Sequence, residues 1–126
     1  MVIYNIILDC REKALIDKLN VSGIPIQICS LNIGDIHITK EGDTVPLIII
    51  ERKTISDLVS SIKDGRYSDQ TRRLSDFEGV YNRNIYYLIE GAPNLSDRKL
   101  VHSTLFSLSF FRGFSVMRVA NVSETA

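Results

Sequence analysis

The feature that most constrains this chain is the apolar run at residues 47–50, which ends abruptly in Glu51, Arg52 and Lys53. A short run of this kind is typical of a strand that is buried in the middle of a sheet. The three charged residues therefore stand where a central strand leaves the core. A carboxylate in that position is costly to desolvate unless a partner or a cation offsets its charge. The run predicts a central strand at residues 47–51 and a polar site at its end.

The rest of the chain alternates between strand-like and helix-like segments. Residues 3–8 form a second, nearly continuous apolar run, and residues 34–39 alternate between apolar and polar side chains. Further strands are predicted at residues 26–29, 84–89 and 114–119, and helices at residues 12–20, 54–64, 66–78 and 97–112. Strands alternating with helices predict an α/β fold, a mixed central sheet flanked by helices. The last seven residues are expected to fray.

The bulk composition excludes several classes of protein. A chain of 126 residues fits one domain, which we place at residues 1–126, and its 15 basic and 15 acidic residues give no net charge. Cys10 and Cys29 form no CxxC motif, so a zinc site is not expected, and both are predicted to be small core residues. No apolar run approaches the roughly 20 residues that span a membrane. An intracellular protein of the nucleus or cytoplasm is expected.

Three acids occur at or near strands that otherwise look apolar. Asp9 follows the run at residues 3–8, Asp35 belongs to the alternating strand, and Glu51 ends the central run. If these carboxylates converge, they repel one another unless a cation lies between them, and oxygen ligands favour Mg²⁺ or Mn²⁺. Lys53 lies two residues after Glu51 and should project to the same side of the strand. Asp35 with Glu51-x-Lys53 is the pattern of the restriction-endonuclease-like superfamily, although by itself it is a weak signal.

A longer stretch around this pattern is far more specific. Residues 50–58 resemble the ERKxxxDL signature of XPF-type nucleases, and residues 61–74 resemble the extension SIxDGRYxxQxxRL. Upstream, Asp9-x-Arg11-Glu12 and Gly34-Asp35 are similar to two further motifs of that family. The chain is therefore similar to the XPF-type structure-specific endonuclease family over nearly its whole length, and most to its Mus-type branch. The resemblance implies a restriction-endonuclease-like fold and an Mg²⁺-dependent DNA endonuclease that cuts flaps, forks and nicked junctions.

The resemblance also implies roles for individual residues. Asp9, Asp35 and Glu51 would be metal ligands, Glu12 would belong to the acidic cluster, and Lys53 would be the catalytic lysine. Arg52 matches the signature arginine, but strand geometry turns it away from Glu51, so its role is structural or a phosphate contact. The residues expected to bind DNA are Arg11, Arg66, Gln70 and Arg73, and Arg11 is alternatively a partner of the acids. Residues 52–73 contain six basic and three acidic residues, which suits a DNA backbone track.

The last predicted helix carries apolar residues on more than one face. A helix that covers one side of a sheet needs only one apolar stripe, so the surplus predicts a second buried contact. A homodimer or heterodimer is expected, with an interface that includes Leu105, Phe106, Phe110 and Phe114. Burial within the same chain, or against another domain, is the alternative. Family members usually add a helix–hairpin–helix domain, and no such domain is recognised here.

Other interpretations of the sequence remain open. The family contains nuclease-inactive subunits that only bind DNA and dimerise, and a metal-dependent phosphodiesterase acting on another nucleotide substrate would need the same site. Asp57 is expected to cap a helix, His37 to be structural, and Tyr67 to pack or to form a hydrogen bond.

Overall fold

A six-stranded mixed sheet lies at the centre of the protein, as a computed structural model describing residues 4–77 and 79–126 shows. Its strands are β1 Tyr4–Asp9, β2 Gln27–Cys29, β3 Ile36–Lys40, β4 Ile48–Thr54, β5 Ile85–Glu90 and β6 Ser115–Val119. They lie in the order β2-β1-β3-β4-β5-β6. β3 is antiparallel to β1 and β4, whereas β2 with β1, and β4, β5 and β6, pair in parallel.

Helices cover both faces of the sheet, so the predicted α/β fold is confirmed. The helices are α1 Lys13–Val21, α2 Ile55–Lys63, α3 Arg66–Ser75, α4 Arg98–Phe110 and α5 Val122–Thr125, with a 3₁₀ turn at Asn82–Asn84. α2, α3 and α4 enclose the larger core on one face, and α1 with part of α5 encloses a smaller core on the other. Within residues 4–77 and 79–126, no helix is long and apolar enough to cross a membrane.

The alternation of side chains along β4 decides which residues reach the site. Ile49 is fully buried in the larger core, whereas Ile50 packs against the smaller core on the opposite face. Because successive side chains of a strand alternate, Glu51 and Lys53 lie on the face of Ile49, and Arg52 lies on the face of Ile50. The predicted separation of Arg52 from Glu51 is therefore confirmed.

The turn from β4 into α2 follows from a helix cap. The Thr54 side chain accepts a hydrogen bond of 3.1 Å from the backbone N–H of Asp57, which lies in the first turn. Ile55, Leu58 and Val59 then bury one face of the helix. The capped start that the sequence predicts is confirmed, with Thr54 rather than Asp57 as the cap. The strand and the capped helix together hold Glu51, Arg52 and Lys53 in defined positions.

Several sequence predictions need correction. Cys10 and Cys29 are exposed rather than in the core. Cys10 lies in the turn after β1, and Cys29 ends the edge strand β2, whose three residues are all exposed. α3 ends at Ser75 instead of residue 78, and residue 78 lies outside the described ranges. The C-terminal residues, expected to fray, include the short helix α5, where the Asn121 side chain accepts from the Glu124 N–H at 3.0 Å.

The end of α4 separates the predicted interface residues into two groups. Phe106 and Phe110 are 60% and 68% exposed, and with the 72% exposed Phe111 they form a cluster of rings with centroids 5.1–6.2 Å apart. Phe114 is instead buried and stacks on Tyr87. Leu105 is partly buried against the same core. The prediction of Phe114 as an interface residue is wrong, because the chain's own core covers it.

Candidate active site

The three acids predicted from strand ends line one cavity of about 380 Å³. Asp9 is the last residue of β1, Asp35 directly precedes β3, and Glu51 lies within β4. Backbone hydrogen bonds join these segments: the Asp9 N–H donates to the Asp35 carbonyl, and the Asp35 N–H donates to the Ile50 carbonyl, each at 2.9 Å. The sheet therefore brings Asp9, Asp35 and Glu51 to a shared concave surface.

A close backbone approach at Gly34 makes this arrangement possible. Gly34 has a φ of +71°, and a Cβ at this position would lie 2.5 Å from Cγ2 of Ile49. Only glycine adopts this conformation and this contact without strain. The loop is held further by a 2.8 Å hydrogen bond between His37 Nε2 and the Ile33 carbonyl. This contact agrees with the structural role expected for His37.

Asp35 and Glu51 are held where their negative charges are unfavourable. Burial raises the pKa of Asp35 to about 6, with the charges of Glu12 and Asp9 acting in the same direction. Burial and the nearby Asp35 raise the pKa of Glu51 to about 8. One compensating contact is present at Asp35, whose Oδ2 accepts a 2.8 Å hydrogen bond from the Arg52 N–H. A cation between these carboxylates would relieve both the burial cost and the repulsion.

Asp9 is in a different electrostatic state, although it lines the same cavity. Its Oδ2 accepts from Arg11 Nε at 2.6 Å, and its Oδ1 accepts from the Leu31 N–H at 2.8 Å. The hydrogen bond from Arg11 holds the pKa of Asp9 below its usual range, even though burial opposes this shift. Both carboxylate oxygens are thus engaged by the chain itself. Of the two roles that the sequence left open for Arg11, the structure shows it as a partner of an acid.

The carboxylates of Asp35 and Glu51 suit a hard divalent cation, whereas Asp9 is already engaged by Arg11. Across the two described ranges, no three His, Cys, Asp or Glu side chains form a ready-made cage for a metal ion. Asp35 and Glu51 nevertheless offer oxygen ligands, which suit Mg²⁺ or Mn²⁺, and their charges are poorly compensated. For Asp9 to contribute, its ion pair with Arg11 would have to open.

Lys53 lies on the same face of β4 as Glu51 and acts on both carboxylates. Its positive charge lowers the pKa of Asp35 and of Glu51, against the larger effect of burial. The ammonium Nζ lies 3.4 Å from Oγ of Ser61, a buried residue of α2 whose hydroxyl donates to the Asp57 carbonyl at 2.8 Å. Ser61, near the end of α2, therefore supports the ammonium group.

Arg52 and Glu12 form an ion-pair network on the opposite face. Arg52 donates to both oxygens of Glu90, from Nε at 2.6 Å and from Nη2 at 2.7 Å, and to Glu12 Oε2 from Nη1 at 2.7 Å. Burial would raise the pKa of Glu90, but hydrogen bonds from Arg52 and Thr125 hold it below its ordinary value. Glu12 and Arg52, both predicted as site residues, thus belong to a partly buried bridge between β4, β5 and the N-cap of α1.

Glu90 was missed by the sequence analysis, although a signal for it was present. It closes the apolar strand β5 just as Glu51 closes the central run. The same argument about a carboxylate at the end of a buried strand applies to both residues. Only the three-dimensional structure shows that Glu90 faces Arg52, whereas Glu51 faces the cavity.

Of the four residues predicted to bind DNA, three line the acidic cavity. They are Arg11, Gln70 and Arg73, with Arg73 Nη2 donating to the Asn32 carbonyl at 3.2 Å. Arg66 is not among the lining residues, and its Nε donates to Asp64 Oδ2 at 2.8 Å on the exposed surface. The cavity therefore combines an acidic floor with two guanidinium groups at its edge.

Tyr87 is a second residue that the sequence analysis missed. It is fully buried in β5, in register with Glu51 of the neighbouring strand. Within the described part of the chain, two buried side-chain atoms have no hydrogen-bond partner, the Tyr87 hydroxyl and Gln70 Oε1. Burial raises the pKa of Tyr87, and the negative charge of Glu51 raises it further. Its sequence context, an apolar strand, suggested only a core residue.

Comparison with known proteins places the chain in a family. The model of the ERCC4 domain matches residues 8–126, nearly the whole sequence. The chain belongs to the ERCC4 domain family. This confirms the resemblance to XPF-type and Mus-type nucleases that the motifs around Glu51 and Lys53 indicate.

Members of the ERCC4 domain family with similar sequences or structures come from distant organisms. The crossover junction endonuclease MUS81 of Oryza sativa subsp. japonica is 35% identical over 122 residues, covering 91% of this chain and 18% of that protein. The ERCC4 domain-containing protein EP364R of African swine fever virus is 34% identical over 84 residues, covering 67% of this chain and 22% of that protein. The chain thus spans about a fifth of each relative's length.

A solved structure of this family has the same fold. XPF from Aeropyrum pernix, in its complex with DNA, superposes with a TM-score of 0.77 and is 26% identical. The match covers 97% of this chain and 59% of that chain. The mixed sheet flanked by helices that the sequence predicts thus matches the fold of an XPF nuclease.

Proposed function

We propose that this ERCC4 domain is the nuclease domain of a structure-specific DNA endonuclease, which hydrolyses a phosphodiester bond near flaps, forks or nicked junctions with Mg²⁺ or Mn²⁺. The observation that carries the proposal is the pair of poorly compensated carboxylates, Asp35 and Glu51, with Lys53 on the same face of β4. The names of the relatives, a crossover junction endonuclease and an XPF bound to DNA, support the choice of substrate. Such a substrate implies action inside the cell, in the nucleus or cytoplasm.

Each charged group at or beside the cavity has a chemical task under this proposal. A bound divalent cation would polarise the scissile phosphate and lower the pKa of a coordinated water. Asp35 and Glu51 would hold the cation, and Lys53 would place a compact positive charge beside the charge that develops on the phosphate. Arg11 and Arg73, both exposed at the edge of the cavity, would contact flanking backbone phosphates. Binding of a phosphate by Arg11 would also free Asp9 to join the cation.

Cleavage assays on two variants test the catalytic assignment. Asp35→Ala and Lys53→Ala are expected to reduce Mg²⁺-dependent cutting of flap, fork and nicked-junction DNA by about 100-fold or more, because each removes a charge from the reacting centre. Lys63→Ala is the matched control for Lys53→Ala, since Lys63 is exposed and pairs with Asp97 outside the acidic cavity. The control should cut at the wild-type rate.

The same assay separates the competing interpretations. Wild-type rates in both Asp35→Ala and Lys53→Ala would refute the catalytic assignment. A wild-type chain that binds branched DNA but cuts nothing with Mg²⁺ or Mn²⁺ would identify a nuclease-inactive subunit. Faster cutting of RNA or a small nucleotide than of any branched DNA would identify a phosphodiesterase of another substrate class.

We also propose that the exposed rings of Phe106, Phe110 and Phe111 pair two subunits, either two copies of this chain or this chain with a related one. Three contacting aromatic rings on one helix end form an apolar patch of the kind that soluble proteins use for association. Leu105, partly buried beside them, would border that contact.

A further inference from the structure

The Tyr87 hydroxyl is a buried donor without a partner among the described residues. Leaving such a group unsatisfied costs about 1–3 kcal/mol, so each case calls for an explanation. The ring itself is well fixed, since it is fully buried and stacks on Phe114 with centroids 5.7 Å apart. A phenylalanine would serve the packing equally well. The hydroxyl therefore requires a reason other than the core.

The surroundings of Tyr87 point to Glu51 as the group that this hydroxyl serves. The two residues are paired in register on the parallel strands β4 and β5, so their side chains leave the sheet side by side on one face. The charged and titratable groups that act on Tyr87 are Glu51, Asp35, Tyr67 and Arg112, and Glu51 exerts the largest charge effect of these. Among them, only the two carboxylates offer a charged acceptor to an O–H donor.

Gln70 provides the other acceptor that must be weighed against Glu51 as a partner of this hydroxyl. Its Oε1 is the second buried atom without a partner in the described ranges, and Gln70 lines the cavity with Glu51. That oxygen can only accept a hydrogen bond, so it competes with the Glu51 carboxylate for the Tyr87 O–H. The Tyr87 hydroxyl is the buried donor that lacks a partner in the described ranges, and a carboxylate accepts a hydrogen bond from it more strongly than a neutral amide does.

We propose that Tyr87 is a positioning residue for Glu51, and that its hydroxyl donates a hydrogen bond to the Glu51 carboxylate when that carboxylate binds a divalent cation. A ligand that is oriented by a neighbouring hydrogen bond loses less freedom when the ion binds, so the partner raises metal affinity. This inference rests on the cation site proposed above. Under this inference, a residue of the core strand β5 orients a metal ligand that lies on the neighbouring strand β4.

Titration calorimetry with Mn²⁺ on the wild type, Tyr87→Phe and Tyr86→Phe tests the assignment. Tyr86 is the matched control, because it is the preceding residue of β5 and its side chain lies on the opposite face. Tyr87→Phe is expected to weaken Mn²⁺ binding about tenfold. Its melting temperature without metal should equal or exceed that of the wild type, because an unsatisfied hydroxyl is removed. Tyr86→Phe should bind Mn²⁺ like the wild type.

Kinetics provide a readout that a packing role would not change. In Tyr87→Phe, the Mn²⁺ concentration for half-maximal cleavage should rise about tenfold, while KM for DNA stays constant and saturating Mn²⁺ restores kcat. Equal Mn²⁺ affinity in the wild type and Tyr87→Phe would overturn the inference and leave the cation site intact. Absence of Mn²⁺ binding by the wild type would overturn the cation site itself.

Discussion

Glu51 is held in a place that is unfavourable for its own charge. Burial and the neighbouring Asp35 disfavour the ionised form, and Lys53 offsets only part of this effect. A residue in such a position reduces the stability of the empty protein in return for a strong interaction with a cation. Asp35 shares this property to a smaller degree, with a pKa of about 6.

A pH titration of stability should reveal the cost of Glu51. The pKa of Glu51 rises from 4.5 to about 8 on folding, so between these values the folded chain holds more proton than the unfolded chain. Stability without metal should therefore fall as the pH rises through this window. In Glu51→Gln the fall should be smaller, and at pH 8 the variant should be more stable than the wild type by about 1–3 kcal/mol. Urea unfolding in EDTA at pH 5, 6.5 and 8 measures this.

An equal pH slope in the wild type and Glu51→Gln would contradict this account.

Asp9 lines the same cavity but has a pKa shift of the opposite sign, because Arg11 lowers its pKa. The stability that Asp9 contributes is present above its unfolded pKa and is lost as the pH falls through its lower folded pKa. Glu51 and Asp9 therefore act in different pH windows.

Sequence alone indicated much of the site at the level of residue types. Asp35, Glu51 and Lys53 could be predicted because a carboxylate at the end of a buried strand needs a partner, and alternation places Lys53 beside Glu51. The ion pair between Arg11 and Asp9 could not be predicted with certainty, because the sequence fitted equally a role for Arg11 in binding DNA and a role as a partner of the acids. Tyr87 could not be found, since an apolar strand gives no sign that a hydroxyl within it lacks a partner.

At the scale of elements, the strand β4 carries two different chemistries on its two faces. Glu51 and Lys53 lie on the face of the larger core, where Glu51 lines the cavity, whereas Arg52 bridges Glu90 and Glu12 on the face of the smaller core. Arg52 and Glu90 are 17% and 5% exposed, so their pair is shielded from water. Removing one partner of a buried pair leaves the other charge without compensation.

Arg52→Ala should therefore act mainly on stability. The loss of its contacts with Glu90 and Glu12 is expected to lower the free energy of unfolding by about 3–5 kcal/mol. Lys53→Ala, the adjacent residue on the other face, should change it by about 1 kcal/mol or less, since its one hydrogen bond to Ser61 is long. Urea unfolding without metal measures both values. A similar loss in the two variants would contradict the division of roles.

The loop before β3 offers a test of how tightly the strands approach. Gly34→Ala should destabilise the fold by about 2–4 kcal/mol, because it adds a Cβ against Ile49 to the strain of a positive φ. Gly42→Ala is the matched control, since Gly42 has a φ of +89° and no atom within 4 Å of the added Cβ. It should lose only about 1–2 kcal/mol. Equal losses by thermal unfolding would show that the contact with Ile49 has no effect.

The strands and helices were largely predictable, and the exceptions have physical causes. Apolar runs and helical spacing located β1, β4, β5 and α2 within one to three residues. The helix α5 was missed because its stability comes from tertiary contacts, including the hydrogen bond from Thr125 to Glu90, rather than from its own four residues. The exposure of Cys29 depends on β2 lying at the edge of the sheet, which no local pattern specifies.

At the scale of the whole molecule, two surfaces of the described residues are proposed to bind partners. The acidic cavity with Arg11 and Arg73 lies on one part of the surface, and the rings of Phe106, Phe110 and Phe111 lie on another. The aromatic cluster was foreseen in part, because the surplus of apolar residues along α4 required a second contact. Phe114 was assigned wrongly, since the helical pattern could not show that the sheet itself would cover it.

Association through the aromatic cluster predicts a mass that depends on these rings. The wild-type chain is expected to sediment at twice its monomer mass of 14.2 kDa at micromolar concentrations. A Phe106→Glu, Phe110→Glu double variant should sediment as a monomer, because charge in an apolar contact is costly to desolvate. Leu95→Glu is the control, since Leu95 is 81% exposed and lies outside the cluster. A double variant that still sediments as a dimer would exclude this contact, and a monomeric wild type would exclude pairing of two copies of this chain.

The two faces of β4 affect how loss-of-function variants of this domain should be interpreted. Under the proposed function, neighbouring positions in one short stretch would abolish cleavage for unrelated reasons, one by removing a reactive group and the next by unfolding the sheet that presents it. A screen that scores only enzymatic output would group Arg52 with Lys53. Measuring the folded fraction of each variant together with its cleavage rate would distinguish a variant that is unfolded from one that is folded but lacks a reactive group.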